Sequence, residues 1–528
     1  MTKTELANEV ILECIPLRML DKRAIAKKIV EKYPDKFKDI EDARVSVRVV
    51  LGERGRDDCP EKYTHTRQLY NDTLPKKSAY DLAKERETVK SKYYIVTSAV
   101  NNTPVHTEFW KNLLAYANHL GAQIHVIAIR YKNPTSVFSD AKEEFWTEDI
   151  LPYLDASRHE IHSSIAIMSD VKIQPTVENP LSGMEGMSGE RSCVFGHPRV
   201  QLQFTPVLKG SKPKIMLTTG SCTESNYTDS KQGKKGDFHH TLGFTLISIK
   251  DKDTAFIRQV TARKDGGFID LKKEVKAQKI WTADTPKALV LGDIHAYHLS
   301  VESKARIHKT IDTFKPETVV LHDVFDGESV NPHMAKNAFE QYKRNQNGKG
   351  DLDKEITYTL DFVKELKEKT ENLVIVNSNH DTFLDRYVIY NEWQKDLVNA
   401  KKYLELAFVL ISGQAPNGLF AHLADKIKGV KCLGVDDSFQ IGGIELGNHG
   451  DKGANGSRGI PTHYRRLSTK VVTGHTHSPL RKDGHLVTGC QDLDHGYNVG
   501  MSSWGLCDVI INSDGKMQQI LYFNNDFQ

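Results

Sequence analysis

Between residues 286 and 528 the chain repeats one pattern five times: a short apolar run that ends in a cluster of His, Asp or Asn. The runs close as Leu291-Gly292-Asp293-Ile294-His295, Leu321-His322-Asp323, Val376-Asn377-Ser378-Asn379-His380-Asp381, Leu446-Gly447-Asn448-His449 and Thr473-Gly474-His475-Thr476-His477. Short apolar runs bounded by turn-forming residues read as buried strands. Asp293 and His295 lie two apart, so in an extended chain their side chains point the same way. A carboxylate and an imidazole held together at a strand end are metal-ligand chemistry. Amphipathic patterns at 302–314, 332–343 and 353–369 predict helices between the first strands. Strands with helical crossovers, then a β-rich close at 441–446, 471–473, 507–511 and 517–523, predict a layered α/β sandwich. Ligand sites in such sheets gather at the C-terminal ends of strands, so all five clusters can face one pocket.

Residues 1–60 predict a helical, helix-turn-helix-like module. Its helices are expected near 5–14, from Asp21 to Tyr33 before Pro34, and from Asp39 to Leu51 before Gly52. Arg44 and Arg48 sit four apart on the third helix, and Arg54 and Arg56 follow. Two readings stand side by side: a DNA-contacting helix with a basic tail, or a three-helix bundle for protein contacts with solvated charges. Residues 61–91 read as a polar linker with a charged helix near 78–90.

Residues 92–275 form an accessory region, mixed α/β and then β-rich. A strand at 93–100, a helix at 107–120 stopped by Gly121, and a strand at 123–131 make a β-α-β unit. It has no Gly-rich phosphate loop, so no nucleotide site is inferred. A helical stretch is expected at 140–154, then strands at 200–204, 214–219, 242–250 and 255–262. Gly/Ser/Thr-rich connections lie at 181–189 and 225–236. The second carries Lys231, Lys234 and Lys235, with His239-His240 close behind. It reads either as ordinary surface or as a loop that tracks a phosphate backbone.

Composition bounds the setting. A net charge of +3 neither demands nor excludes nucleic acid. Seven scattered cysteines, with no Cys-x-x-Cys pair, point to a reducing compartment and away from a zinc finger. The N-terminus has no signal-peptide pattern, and no apolar run approaches the ~20 residues of a membrane span. A cytoplasmic protein without membrane contact is expected.

Taken in order, Asp293-x-His295, Asp323, Asn379-His380-Asp381, His449 and Gly474-His475-x-His477 resemble the calcineurin-like metallophosphoesterases. The run Asp323-Val324-Phe325-Asp326 is similar to that of the double-strand-break-repair nucleases of this superfamily. Its protein phosphatases place an Asp-Arg-Gly after this motif, whereas Asp326 is followed by Gly327-Glu328. Two positions depart from the family: His322 and Ser378 stand where glycine is usual.

The resemblance implies two divalent metal ions, Mn²⁺ first, with Mg²⁺, Fe or Zn²⁺ as alternatives. One would be held by Asp293, His295, Asp323 and His477, the other by Asp323, Asn379, His449 and His475, with Asp323 bridging. Such a pair can lower the pKa of a shared water to about 7 and supply hydroxide. His380 would be the general acid, with Asp381 orienting its ring. Asp326 would contact substrate at the metal rim. The glycine-rich loop 450–459, with Lys452 and Arg458, offers N–H groups and positive charge to a phosphate, or is a surface connection. The long N-terminal extension is similar to that of phage-encoded nucleases that degrade host DNA, which implies the host cytoplasm. The expected function is a metal-dependent DNA nuclease with DNA as partner and homo-oligomerisation open. The alternatives are a small-substrate phosphoesterase acting on nucleotides or cyclic nucleotides, and a DNA-binding protein with a structural metal site.

Overall fold

The computed structural model describes residues 1–17, 19–52, 60–73, 78–131, 145–187, 189–334, 337–496 and 498–527. Contacts divide the chain into two compact units, one built on Met1–Leu82 and the other taking most of the rest.

In the first unit, capping residues set the helices. Thr2 and Glu5 form a capping box at the start of Lys3–Cys14. Asp21 caps Lys22–Lys32, Asp39 caps Ile40–Leu51, and Gly52, at φ 68°, ends the third helix. Val10, Ile11, Ile25, Ile29, Val47 and Val50 fill the core between them. The third helix packs on both others, so it buries a wide face that includes Arg44. Arg44 is ion-paired with Glu41 at 2.9 Å and is not presented as a DNA-reading side chain. Arg48 is half-buried on the same helix. Arg54 and Arg56 lie outside the described residues.

The second unit is mixed α/β. Its central sheet has the order Val430–Cys432, Asn372–Ile375, Thr318–Leu321, Ala288–Val290, Cys507–Ile511, Met517–Leu521. The first four strands are parallel and the last two antiparallel. Alternate residues feed two different cores, as a period of two requires when both faces are covered. Leu289, Val319, Leu321, Leu373 and Ile375 face a cluster with Ile307, Ile311, Phe362 and Leu366 of the helices Val301–Phe314 and Leu352–Lys367. Val290, Val320, Val374 and Val509 face Ile444, Val472 and Leu486 of a second sheet.

That second sheet has ten strands. Gln440–Ile441, Ile444–Glu445, Lys470–Thr473, His485–Val487 and Leu480–Lys482 continue into Leu202–Thr205, Lys214–Thr218, Ser192–Phe195, Ile165–Met168 and Arg158–His162. It therefore takes strands from both the 92–275 and the 286–528 stretches. A five-stranded sheet holds the β-α-β unit Tyr93–Val100, Thr107–Leu120, Gln123–Ile129. A three-stranded meander covers Phe268–Asp270 to Lys279–Thr282.

Some expectations change. The single strand expected at 441–446 is a hairpin, because Gly442 and Gly443 both take positive φ, 61° and 75°, and turn the chain. The connection at 225–236 contains a helix, Lys231–His239, capped by Ser230. The described part of the stretch expected as helical at 140–154 is a 3₁₀ segment, Glu148–Tyr153, interrupted by Pro152. Among the described residues no helix is long and apolar enough to cross a membrane.

Candidate metal centre

Five strand ends bring seven side chains together. Asp293, Asp323 and Asn379 follow the parallel strands of the central sheet, while His449, His475 and His477 follow strands of the facing sheet. Asp293, His295, Asp323 and His477 are all buried, and their ligand atoms lie within 4.8 Å of one another. His477 Nε2 is 3.1 Å from Asp293 Oδ2 and 3.2 Å from His295 Nε2. Asp323 Oδ2 is 3.2 Å from His449 Nε2, and Asn379 Oδ1 is 3.0 Å from His475 Nδ1. The His449 and His475 rings meet edge to face at 5.2 Å. Both groupings thus touch Asp323.

The backbone is strained where these side chains converge. His295, Asp323, His475 and His477 take φ of 46°, 44°, 72° and 55°, the left-handed region that non-glycine residues avoid. Such conformations persist only where the surroundings over-determine them, and they cluster at functional sites. Gly474 is required by a close approach: a Cβ there would overlap Asp293 Oδ1. The approach lets the next amide, His475 N–H, donate to Asp293 Oδ2 at 2.7 Å.

The donor set fits cations. Asp293 Oδ1 and Asp323 Oδ1 are buried with no hydrogen-bond partner among the described residues. A buried carboxylate oxygen without a donor is costly unless a positive charge faces it. The electrostatics register the same demand. Burial opposes charge on His449, yet the Asp323 and Asp293 carboxylates beside it push its pKa up to about 10. His322, fully buried against His449, is pushed down to about 4 by burial. Imidazole nitrogen with carboxylate and amide oxygen suits Mn²⁺, Fe or Zn²⁺ alike.

Two residues differ in role from the expectation, and a third, His380, differs in what orients it. Asp326, expected to meet substrate, is buried beneath His295. It accepts from His295 Nδ1 at 2.9 Å and His298 Nε2 at 3.2 Å. It therefore orients the ring of His295, and with Glu328 it pushes the pKa of His298 up to about 9 against burial. Asp381, expected to orient His380, instead accepts from Ser378 N–H at 3.2 Å at the start of the helix Asp381–Tyr390. Burial and the nearby Asp323 push its pKa up to about 8. His380 is oriented by main chain: its Nδ1 donates to the Asp326 carbonyl at 2.7 Å. Nε2 is then the nitrogen able to exchange a proton with a ligand.

An open cleft of about 530 Å³ lies over the centre, lined by Asp323, Asn379, His380, Arg458, His475 and Trp504 among others. Arg458 thus reaches the cleft, but Lys452 points its charge at Asp451, 3.0 Å away. Three of the loop's four glycines do not offer their amides to a ligand as expected. Gly453 N–H donates to Ser457 O, Gly456 N–H to Gly453 O and Gly459 N–H to Asp451 O, closing a hairpin. Sequence reasoning missed His298, His495 and Trp504. His495 stacks edge-on against His295 at 4.8 Å, and Trp504 lies 4.2 Å from the His477 ring. Each lies outside the strand-end pattern, which is the signal that located the others.

No family model matches the chain. It is similar to Protein A1 of Escherichia phage T5, 28% identical over 465 residues that cover 84% of this chain and 84% of that protein.

Proposed function

We propose that the protein is a dinuclear metallophosphoesterase of the calcineurin-like type and that it cleaves phosphodiester bonds of DNA. The carrying observation is the convergence of Asp293, His295, Asp323, Asn379, His449, His475 and His477 from five separate strand ends, with His380 lining the same cleft. In this reading each grouping would hold a divalent cation, with Asp323, which touches both groupings, as the residue they would share. Bound divalent cations would supply water activation and charge neutralisation at the phosphoryl oxygens.

The chain's own residues do the rest. Asp326 and His298 hold the His295 ring. His380, with Nδ1 committed to the Asp326 carbonyl, gives a proton from Nε2 to the leaving oxygen. Arg458 at the cleft rim pairs with a non-bridging phosphate oxygen. The open cleft favours a polymer substrate.

The test is a nuclease assay on linear and closed circular DNA with Mn²⁺, Mg²⁺ and Zn²⁺, using wild type and His380→Ala. Metal-dependent degradation, lost in the variant, is expected. Turnover of a chromogenic phosphodiester with no loss of DNA would move the reading to a small substrate. No metal-dependent hydrolysis of either would overturn it.

A further inference from the structure

A second cleft, of about 620 Å³, opens near the metal centre and takes no part in it. Its wall carries five Lys or Arg side chains, Arg199, Arg465, Lys470, Arg481 and Lys516, and a single carboxylate, Asp483. Asp483 is already shared: Arg465 approaches to 3.3 Å, Arg199 to 3.4 Å and His239 to 3.7 Å. Among the described residues Lys470, Arg481 and Lys516 have no ion-pair partner. Arg481 is held charged at a cost, burial pushing its pKa down to about 10. Unpaired cations at this density repel one another, as Lys516 feels from Lys470 and Arg481 beyond its own burial. A wall of this kind is complementary to a polyanion. At its edge Phe238 is 84% exposed at the end of the helix Lys231–His239, an apolar ring with no packing reason to be in water.

The cleft is close to the chemistry. The helical turn Pro461–Tyr464 has its first residue on the rim of the metal cleft, and the residue after it, Arg465, on the basic cleft. Lys470 precedes His475 by five residues, at most about 18 Å of extended chain. That is a span of a few nucleotides of a strand.

We propose that this cleft holds the backbone of a single-stranded segment of nucleic acid leading to or from the metal centre, with Phe238 as a stacking platform for an unpaired base. The proposal extends the nuclease reading but is tested without it. A labelled single-stranded 15-mer is titrated by anisotropy against the full chain in EDTA, at several salt concentrations. Lys470→Glu/Lys516→Glu is expected to weaken binding roughly 25-fold at 0.1 M salt and to lower the salt slope by about 1.4, the loss of two single-strand phosphate contacts. Phe238→Ala is expected to weaken binding at least about five-fold with the slope unchanged. The neutral Lys470→Gln/Lys516→Gln, which loses the same two contacts without added repulsion, should weaken binding by about that much and no more, and thermal melting identifies any variant that fails to fold. Turnover of bis(p-nitrophenyl) phosphate with Mn²⁺ reads the metal centre separately. If wild type lacks that turnover, the nuclease reading falls and the binding result still stands. Affinity and slope unchanged in all three variants would overturn the proposal. So would displacement of the oligonucleotide by low-millimolar inorganic phosphate, which would mark a single-phosphate site.

Discussion

Replacing Asp326 separates two accounts of this centre. If Asp326 meets substrate, its loss raises KM for DNA and leaves metal binding alone. In the structure it is 3% exposed and bonded to both His295 and His298, so its loss should act on the metal instead. Outer partners of ligating histidines are worth about 10–100-fold in metal affinity, or ~1.4–2.7 kcal/mol. Asp326→Ala, which frees both rings, should reach the upper end. Asp326→Asn keeps one acceptor oxygen for His295 and should lose about ten-fold. The metal-free protein should also be destabilised, since a buried acceptor of two charge-assisted bonds is gone; roughly 3–5 kcal/mol is expected for Asp326→Ala. Trp504, 4.2 Å from the His477 ring, supplies the assay: its quenching by Mn²⁺ titrates the centre directly, with Trp504→Phe as the blank. Mn²⁺ affinity within two-fold of wild type, together with a raised KM for DNA, would refute the reasoning.

Other outcomes follow from the same geometry. His380→Ala should keep its metal and lose about 10²–10⁴-fold in kcat on DNA, and lose much less on a nitrophenyl ester, whose leaving group needs no proton. Equal losses on both substrates would remove the general-acid role. Gly474→Ala should abolish Mn²⁺ quenching and cost about 1–3 kcal/mol, because its Cβ overlaps Asp293 Oδ1; normal metal binding would contradict the close approach. Asp270 ties the accessory sheets to the central sheet, accepting from Arg258 at 2.5 and 2.7 Å, from Tyr116 at 2.7 Å and from Gln518 at 3.2 Å. Burial opposes its charge, but Arg258, Tyr116 and Gln518 outweigh it and hold the pKa below the ordinary carboxylate value. A depressed folded pKa means full stabilisation above the unfolded value of ~4 and its loss as pH falls below that. Asp270→Asn should therefore lower the urea midpoint at pH 7, with a gap that narrows toward pH 3; a gap independent of pH would contradict this.

The gathering of the centre's side chains was legible because strand-end chemistry is local. A period of two, a turn residue and a polar cluster survive in any reading of Leu291 to His295 or Val471 to His477, and the strands at 93–100, 318–321 and 507–511 fall where the apolar runs place them. What was not legible depends on contacts far apart in sequence. Asp326 reads as a substrate contact at the metal rim until His295 and His298 are folded over it. Arg44 reads as the outer face of an amphipathic helix until two other helices cover that face. Gly453, Gly456 and Gly459 read as free amides until the hairpin closes on them. The basic cleft draws on Arg199, Phe238, Arg465 and Lys516, residues that share no window of sequence, so no pattern along the chain could have assembled it.

The central claim is that Asp323 is shared by two cations within one buried cage. Elemental analysis of the full chain, equilibrated with Mn²⁺ and freed of excess metal, counts them directly. Two ions per chain in wild type and one or none in Asp323→Ala, with the fold intact by circular dichroism, is the predicted result. Wild type holding no ion, or Asp323→Ala still holding two, would contradict it.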